Sequence, residues 1–192
     1  MNAWLRAKTI LGEPVMAWPQ IENDGGDAAD ALVLHAAIWA LVPALAGYFA
    51  AAAIGVIRPD GSVARVTALD GLFGAIFRYV ASCAGVFVVG ILINLTAPAF
   101  GGRRNFDSAI KLAAYSYTPV WLCGVFLMLP GLRFLGLIGC YGTYLLWCGL
   151  PQLMKMPRQR GWAATLLIAA CAAALYFASD AAQYRLFGTP RS

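Results

Sequence analysis

Residues 97–156 read APAFGGRRNFDSAIKLAAYSYTPVWLCGVFLMLPGLRFLGLIGCYGTYLLWCGLPQLMKM. A short basic loop leads into an apolar run that contains Pro119. A tight Pro130-Gly131 turn follows, and a second apolar run ends in another basic loop. Residues 109–129 and 132–153 are each long enough, at roughly 1.5 Å of rise per residue, to cross a hydrocarbon core of about 30 Å. The turn leaves so little chain between them that the two runs must be antiparallel neighbours. The stretch predicts a transmembrane helical hairpin.

The rest of the 192-residue chain is of the same kind. It is 61% hydrophobic and only 12% charged, with a mean hydropathy of +0.70, too apolar to coat a soluble globule. The net charge of +5 does not point to nucleic acid, because the basic residues sit in loops between apolar runs, where they set orientation in a bilayer. Working outward from the hairpin, apolar runs at about 31–57, 72–97 and 161–182 bring the expected spans to five. The expectation is an all-α, polytopic membrane protein. A five-transmembrane-helix bundle over 31–182 follows a cytoplasmic tail (1–30), and a short external tail (183–192) closes the chain. The tail is not expected to be a signal peptide, since Glu13, Pro14, Pro19 and four acidic residues interrupt it. Its Trp4, Leu5, Ile10, Leu11, Val15, Met16, Trp18 and Ile21 alternate with charges, as in an interfacial amphipathic helix anchored by tryptophans.

Small residues mark expected close contacts between helices. Gly47, Ala51 and Gly55 recur four apart, and Gly136, Gly139 and Gly142 three apart. Prolines mark broken backbone: Pro119 frees the carbonyl of Tyr115 and Pro151 that of Trp147. Polar groups gather towards one end of the expected spans. His35 opens the first, Asn94 and Thr96 close the second, Lys111, Tyr115, Ser116, Tyr117 and Thr118 open the third, and Trp147 and Gln152 close the fourth. Irregular backbone and hydroxyls within a membrane persist where they are buried in protein or face water. These ten residues therefore outline an expected cytoplasm-facing polar pocket, whose competing reading is that the groups satisfy one another in a dry core. Arg103, Arg104, Lys155 and Arg158 ring its mouth, placed to attract anionic lipid headgroups. His35, the only histidine, reads as an interfacial residue with a local partner ahead of a metal or relay role. Arg78 reads as a snorkelling side chain.

Orientation follows from the loops. Arg6, Lys8, Arg103, Arg104, Lys111, Lys155, Arg158 and Arg160 fall on the N-terminal side, against Arg58, Arg65, Arg133, Arg185 and Arg191 on the other. This bias places the N-terminus in the cytoplasm and, with five spans, the C-terminus outside.

The segment from APAFGG to LPGL, then LGLIGCYGTYLLWCGLPQLMKMP, resembles the bacterial branch of the Yip family, five-span membrane proteins first known as Ypt/Rab-interacting. The opening RAKTILGEPVMAWPQIE resembles that branch as well, whereas the stretch after Met156 departs from it. The resemblance implies a multi-pass protein of the bacterial inner membrane that binds lipids or membrane proteins. Rab binding by eukaryotic relatives is not carried over, because no large cytosolic domain that could meet such a partner is expected in this sequence.

No HExxH, GxSxG, Walker or GxGxxG motif is present, and Cys83, Cys123, Cys140, Cys148 and Cys171 form no CxxC or metal spacing. No enzyme, cofactor or metal is expected. Two function classes stand. The first is a non-enzymatic protein that organises the bilayer, with membrane lipids, other membrane proteins or a second copy of itself as partners. The second is a small channel or transporter.

Overall fold

The computed structural model describes residues 3–23, 27–53, 55–57, 63–64, 67–128 and 130–187. Arg58, Arg65 and Arg191 of the charge count, and the last five residues of the expected external tail, lie outside the described residues.

Two short helices, α1 (Ala3–Gly12) and α2 (Pro14–Asn23), precede three long ones. The first long helix, α3, runs over Ala28–Ala53, and Asp27 caps it by accepting from the Asp30 N–H at 3.0 Å. Residues Ala31–Ala36 of α3 are wound as a π-helix that carries His35. The helix stops at Ala53, four residues short of the expected span end. Gly55, at φ +89°, turns the chain there and donates its N–H to the Ala50 carbonyl at 3.2 Å. A two-residue antiparallel pair, β1 (Val56–Ile57) with β2 (Val63–Ala64), lies in the connection that follows.

Helix α4 (Ala68–Thr96) starts at a Thr67 cap, which accepts from the Asp70 N–H at 3.1 Å and donates to the Asp70 carboxylate at 2.7 Å. It continues as a 3₁₀ turn over Ala97–Phe100, where Pro98 cannot extend the α-helix and Gly101 ends the turn at φ +82°. The last long helix, α8, is Arg158–Phe187. Among the described residues, three helices, α3, α4 and α8, are long and apolar enough to cross a membrane.

The hairpin departs from two continuous runs. Helix α5 (Phe106–Ser116), capped by Asn105 through the Ser108 N–H at 3.0 Å, breaks at Tyr117. Helix α6 (Thr118–Cys123) resumes with Pro119 in its first turn and passes into 3₁₀ winding at Gly124–Met128. Another 3₁₀ run, Pro130–Cys140, returns to helix α7 (Tyr141–Leu153). The physical cause at the break is Pro119, which has no N–H for the Tyr115 carbonyl; the Thr118 hydroxyl donates to that carbonyl instead, at 2.8 Å.

Helix α4 is central, lying against α3, α5 and α8, while α7 is sandwiched between α2, α5 and α8. The core is continuous from Ile10, Trp18 and Ile21 through Ile93, Leu112 and Leu150 to Ala164 and Ile168. Trp18 therefore does not act as a headgroup anchor. It is buried to 1% exposure, whereas Trp4 stays 67% exposed. The apolar face of α2 finds a better cover in the glycine-notched surface of α7 than in lipid, because a Cβ at Gly149 would fall 2.7 Å from the Trp18 ring.

Candidate functional site

The ten residues of the expected polar pocket go to several places. His35, Tyr115 and Thr118 form a buried cluster at the α5–α6 break. His35 Nε2 lies 2.9 Å from Thr118 Oγ1, and because that hydroxyl spends its one proton on the Tyr115 carbonyl, Nε2 must be the donor. The neutral Nε2–H form is thereby selected, leaving Nδ1 as an acceptor that is buried without a partner. The His35 ring sits 4.5 Å from the Tyr115 ring, with Trp39 and Trp121 beyond it, and Arg6 of α1 donates to the Tyr115 hydroxyl at 2.8 Å. His35 is only 2% exposed. Its partner comes from 83 residues away rather than from its own turn, so it is a core histidine, not an interfacial one.

Gln152 reaches the Glu22 carboxylate, as does Lys155. Thr96 folds back on the Leu92 carbonyl at 2.7 Å, Lys111 is half-buried on α5, and Trp147 is 40% exposed beside Tyr144. Asn94 Oδ1 is buried without a partner. Ser116 and Tyr117 alone of the ten border the large cavity described below.

At the end of the bundle near Arg103 the two basic loops are stitched together. The Arg103 N–H donates to the Met154 carbonyl at 2.8 Å, and Lys155 takes a left-handed φ of +52°. Arg103, Arg104, Lys155 and Arg158 are all exposed there. Lys155, hydrogen-bonded to Glu22, holds that carboxyl below its usual value of 4.5, against a smaller opposing push from burial. A lowered carboxylate stabilises the fold above pH 4.5, and this contribution is lost as pH falls through the folded value. Since Lys155 is half exposed, the pair is worth at most about 1 kcal/mol. Glu22→Gln is expected to lower the melting temperature in detergent slightly at pH 7, and the gap from the wild type should close as pH is taken below 4.5. A gap that persists or widens in acid would show that the carboxylate charge contributes nothing.

A half-open cavity lies towards the other end of the bundle. It encloses about 720 Å³ between α4, the α5–α6 break, α7 and α8. Apolar side chains such as Val89, Val120, Trp121, Leu146, Ile168 and Leu175 form most of its wall, and Arg78, Ser82, Ser179, Asp180 and Gln183 supply polar groups. Trp121 is held in the wall by donating its indole N–H to Ser82 Oγ at 2.7 Å. Arg78 and Asp180 are paired at 3.6 Å, so Arg78 does not simply snorkel. Ile93, Ile110, Leu112 and Leu150, all with 0% exposure, lie between this cavity and the basic loops in the order of residues along α4, α5 and α7.

The small-residue positions divide as well. At Gly142 a Cβ would fall 2.5 Å from the Ser116 carbonyl, so the bare backbone there admits the α5–α6 break. Gly139 faces Val120 at ordinary distance, Gly47 faces Arg78, and Gly136 faces open space. Gly55 ends a helix instead of packing one, and Ala51 is half-buried near the end of α3. Of the four tightest notches, sequence spacing pointed to Gly142 alone and missed Gly90 against Ile110, Gly124 against Pro43 and Gly149 against Trp18 and Leu112. Each of these last three is a lone glycine outside the i+3 and i+4 patterns just described. Among the described residues no group of three or more His, Cys, Asp or Glu is placed to hold a metal, and all five cysteines are free thiols.

Comparison with known proteins agrees with this architecture. The model of the Yip1 domain matches residues 8–179. The inner membrane protein YohC of Escherichia coli, in strain K12 and in strain O6:H1, is 27% identical over 131 residues, which cover 66% of this chain and 67% of the relative. No solved structure matches. With the domain model spanning nearly the whole chain over a bundle of apolar helices, the protein belongs to the Yip1 family.

Proposed function

We propose that the protein is a non-enzymatic component of the bacterial inner membrane that binds lipids or other membrane proteins and so organises the bilayer around it. The observation that carries this reading is the cavity of about 720 Å³, within the roughly 300–1,000 Å³ typical of ligand sites, walled mainly by apolar side chains in a chain built of membrane-type helices. We favour it over the cytoplasm-facing polar pocket because only Ser116 and Tyr117 of that pocket's ten residues border the cavity, while Thr118 is hydrogen-bonded to His35 and to the Tyr115 carbonyl. The exposed Arg103, Arg104, Lys155 and Arg158 form a second, peripheral contact for anionic headgroups. Transport is the less favoured class. A conducting path from the cavity to the basic loops would have to pass the fully buried layer of Ile93, Ile110, Leu112 and Leu150.

Protein purified with its native lipid and weighed intact should carry phospholipid that survives mild detergent exchange. Recovery of bare protein alone would reject the reading. Changing Arg103, Arg104, Lys155 and Arg158 together to Gln should weaken binding of anionic lipid at least tenfold, at about 1 kcal/mol per charge, and leave zwitterionic lipid unaffected. Equal binding to wild type and variant would remove the peripheral contact.

The proposed topology keeps five crossings, with the Pro119-broken hairpin supplying the third and fourth, the N-terminus in the cytoplasm and the C-terminus outside. A reporter active only in the cytoplasm should give signal when fused at Arg158 and none when fused at residue 192. Signal from both positions would require an even number of crossings.

A further inference from the structure

Among the described residues two charged ones line the cavity, Arg78 and Asp180, and both lie near one end of it. Arg78 is on α4 and Asp180 on α8, 102 positions later in the sequence, and their side chains approach to 3.6 Å. That separation is close enough for attraction yet too long for a good hydrogen bond, so neither group is used up by the other. Arg78 Nε is buried with no partner at all, and the Asp180 side chain remains 56% exposed. The guanidinium lies across Gly47 of α3, where a Cβ would come within 3.3 Å of Nε. A charge held among membrane-type helices is costly unless something answers it, and here the answer is half supplied. Arg78 still offers a donor, and Asp180 still offers an acceptor to whatever enters.

The rest of the cavity describes the entering molecule. From the charged end the wall runs inward over Ala81, Val89, Ala113, Leu146 and Ile168, which suits hydrocarbon. Leu137 and Phe177 belong to the same wall and are 72% and 69% exposed, so the cavity opens sideways between the Pro130–Cys140 run and α8. A sideways mouth flanked by exposed apolar side chains admits molecules from the bilayer. Arg78 stands 18 residues before the end of α4, roughly 27 Å from the basic loops at helical rise. On the proposed topology the charged end therefore lies near the opposite membrane surface from those loops, at headgroup depth.

We propose that this cavity holds one zwitterionic phospholipid, its phosphate on Arg78, its ammonium on Asp180 and its acyl chains in the apolar wall. The inference rests on the reading of the protein as a lipid binder and specifies the lipid. A purely anionic headgroup satisfies Arg78 but meets the Asp180 carboxylate a few ångströms away. A headgroup whose phosphate and ammonium are separated by only two carbons complements both residues at once.

The test uses the full-length protein with Arg103, Arg104, Lys155 and Arg158 changed to Gln, which removes the peripheral anionic contact and serves as the reference. It is placed in nanodiscs made from equal parts phosphatidylethanolamine and phosphatidylglycerol, with retained lipid counted by intact mass after transfer to mild detergent. The reference should retain phosphatidylethanolamine at least fivefold over phosphatidylglycerol. Adding Arg78→Gln should lower retention of both about tenfold, whereas adding Asp180→Asn should turn the preference towards phosphatidylglycerol. Ala172→Trp, which fills the wall without altering a charge, should lower retention of both lipids with the melting temperature preserved, and it keeps the test decisive if Arg78→Gln fails to fold. A reference that prefers phosphatidylglycerol or shows no preference overturns the inference and leaves the broader reading standing. So does an Asp180→Asn ratio equal to that of the reference. Retention of neither lipid by the reference overturns the inference, and by the wild type as well overturns both.

Discussion

Replacing Gly124 by alanine is expected to destabilise the protein by about 1–3 kcal/mol, and Gly124→Leu should leave little folded protein in detergent. A Cβ built at this position falls 2.6 Å from Pro43 Cβ and 2.9 Å from Pro43 Cα. Those atoms belong to a ring and to backbone in the middle of α3, so no rotamer change can make room and the helices themselves must part. The contact is also where α3 meets the 3₁₀ run of Gly124–Met128, one of the joints that hold the irregular hairpin in place. Gly136, in the other 3₁₀ run, is the internal control: it has nothing within 4 Å, and Gly136→Ala should leave the melting curve where it is. At roughly 2–4 °C per kcal/mol for a chain of this size, the two alanine variants should be separated by several degrees. Coincident curves would mean that α3 and the hairpin are not in contact in the folded protein.

The parts of this fold that sequence could reveal are those decided locally. Length and apolar content are enough to find α3, α4 and α8, and a proline forces a carbonyl free four residues back whatever the tertiary structure. Pro119 does this to Tyr115, and the neighbouring Thr118 hydroxyl takes up the carbonyl. Asn105 caps α5 from its own side chain, whereas Asp107, two residues on, accepts from the Ala28 N–H of α3 at 3.2 Å. That second contact depends on where α3 lies, which no local pattern contains.

What stayed hidden was set by partners far away in the chain. Arg78 and Asp180 each stand out as rare charges near the ends of apolar runs, but that they face one another follows from the packing of α4 on α8. His35 looked interfacial by its position near the start of a span, yet Arg6, Tyr115, Thr118 and Trp121 close over it. The 3₁₀ winding of Gly124–Met128 and Pro130–Cys140 was not legible either, because the same leucines and glycines fit a packed α-helix equally well until the Pro43 and Val120 contacts are known. The candidate site suffered most. A cavity is the space left between several elements, and the sequence of any one of them carries only a fraction of its wall.

The second large effect concerns the N-terminal helices. Alternating tryptophan, leucine and charge over residues 4–21 fits a helix lying on a membrane and fits equally a helix docked on protein, since both need one apolar face. The structure chooses docking: Ile10, Trp18 and Ile21 are no more than 3% exposed, and α2 lies along α7. Trp18→Ala is therefore expected to cost about 3–5 kcal/mol, far more than loss of an interfacial anchor. Because the Trp18 indole N–H is buried without a partner, that cost comes from volume alone, and Trp18→Phe should recover most of it. The pairing with Gly149 allows a sharper measurement. Gly149→Leu in the wild type drives a side chain into the Trp18 ring and Leu112 and should destabilise strongly, whereas in the Trp18→Ala background the same leucine enters space the indole has left. The two changes together should then cost less than their sum by at least about 1 kcal/mol, the signature of residues in direct contact. Strict additivity in melting experiments would place α2 away from α7 and return Trp18 to the membrane surface.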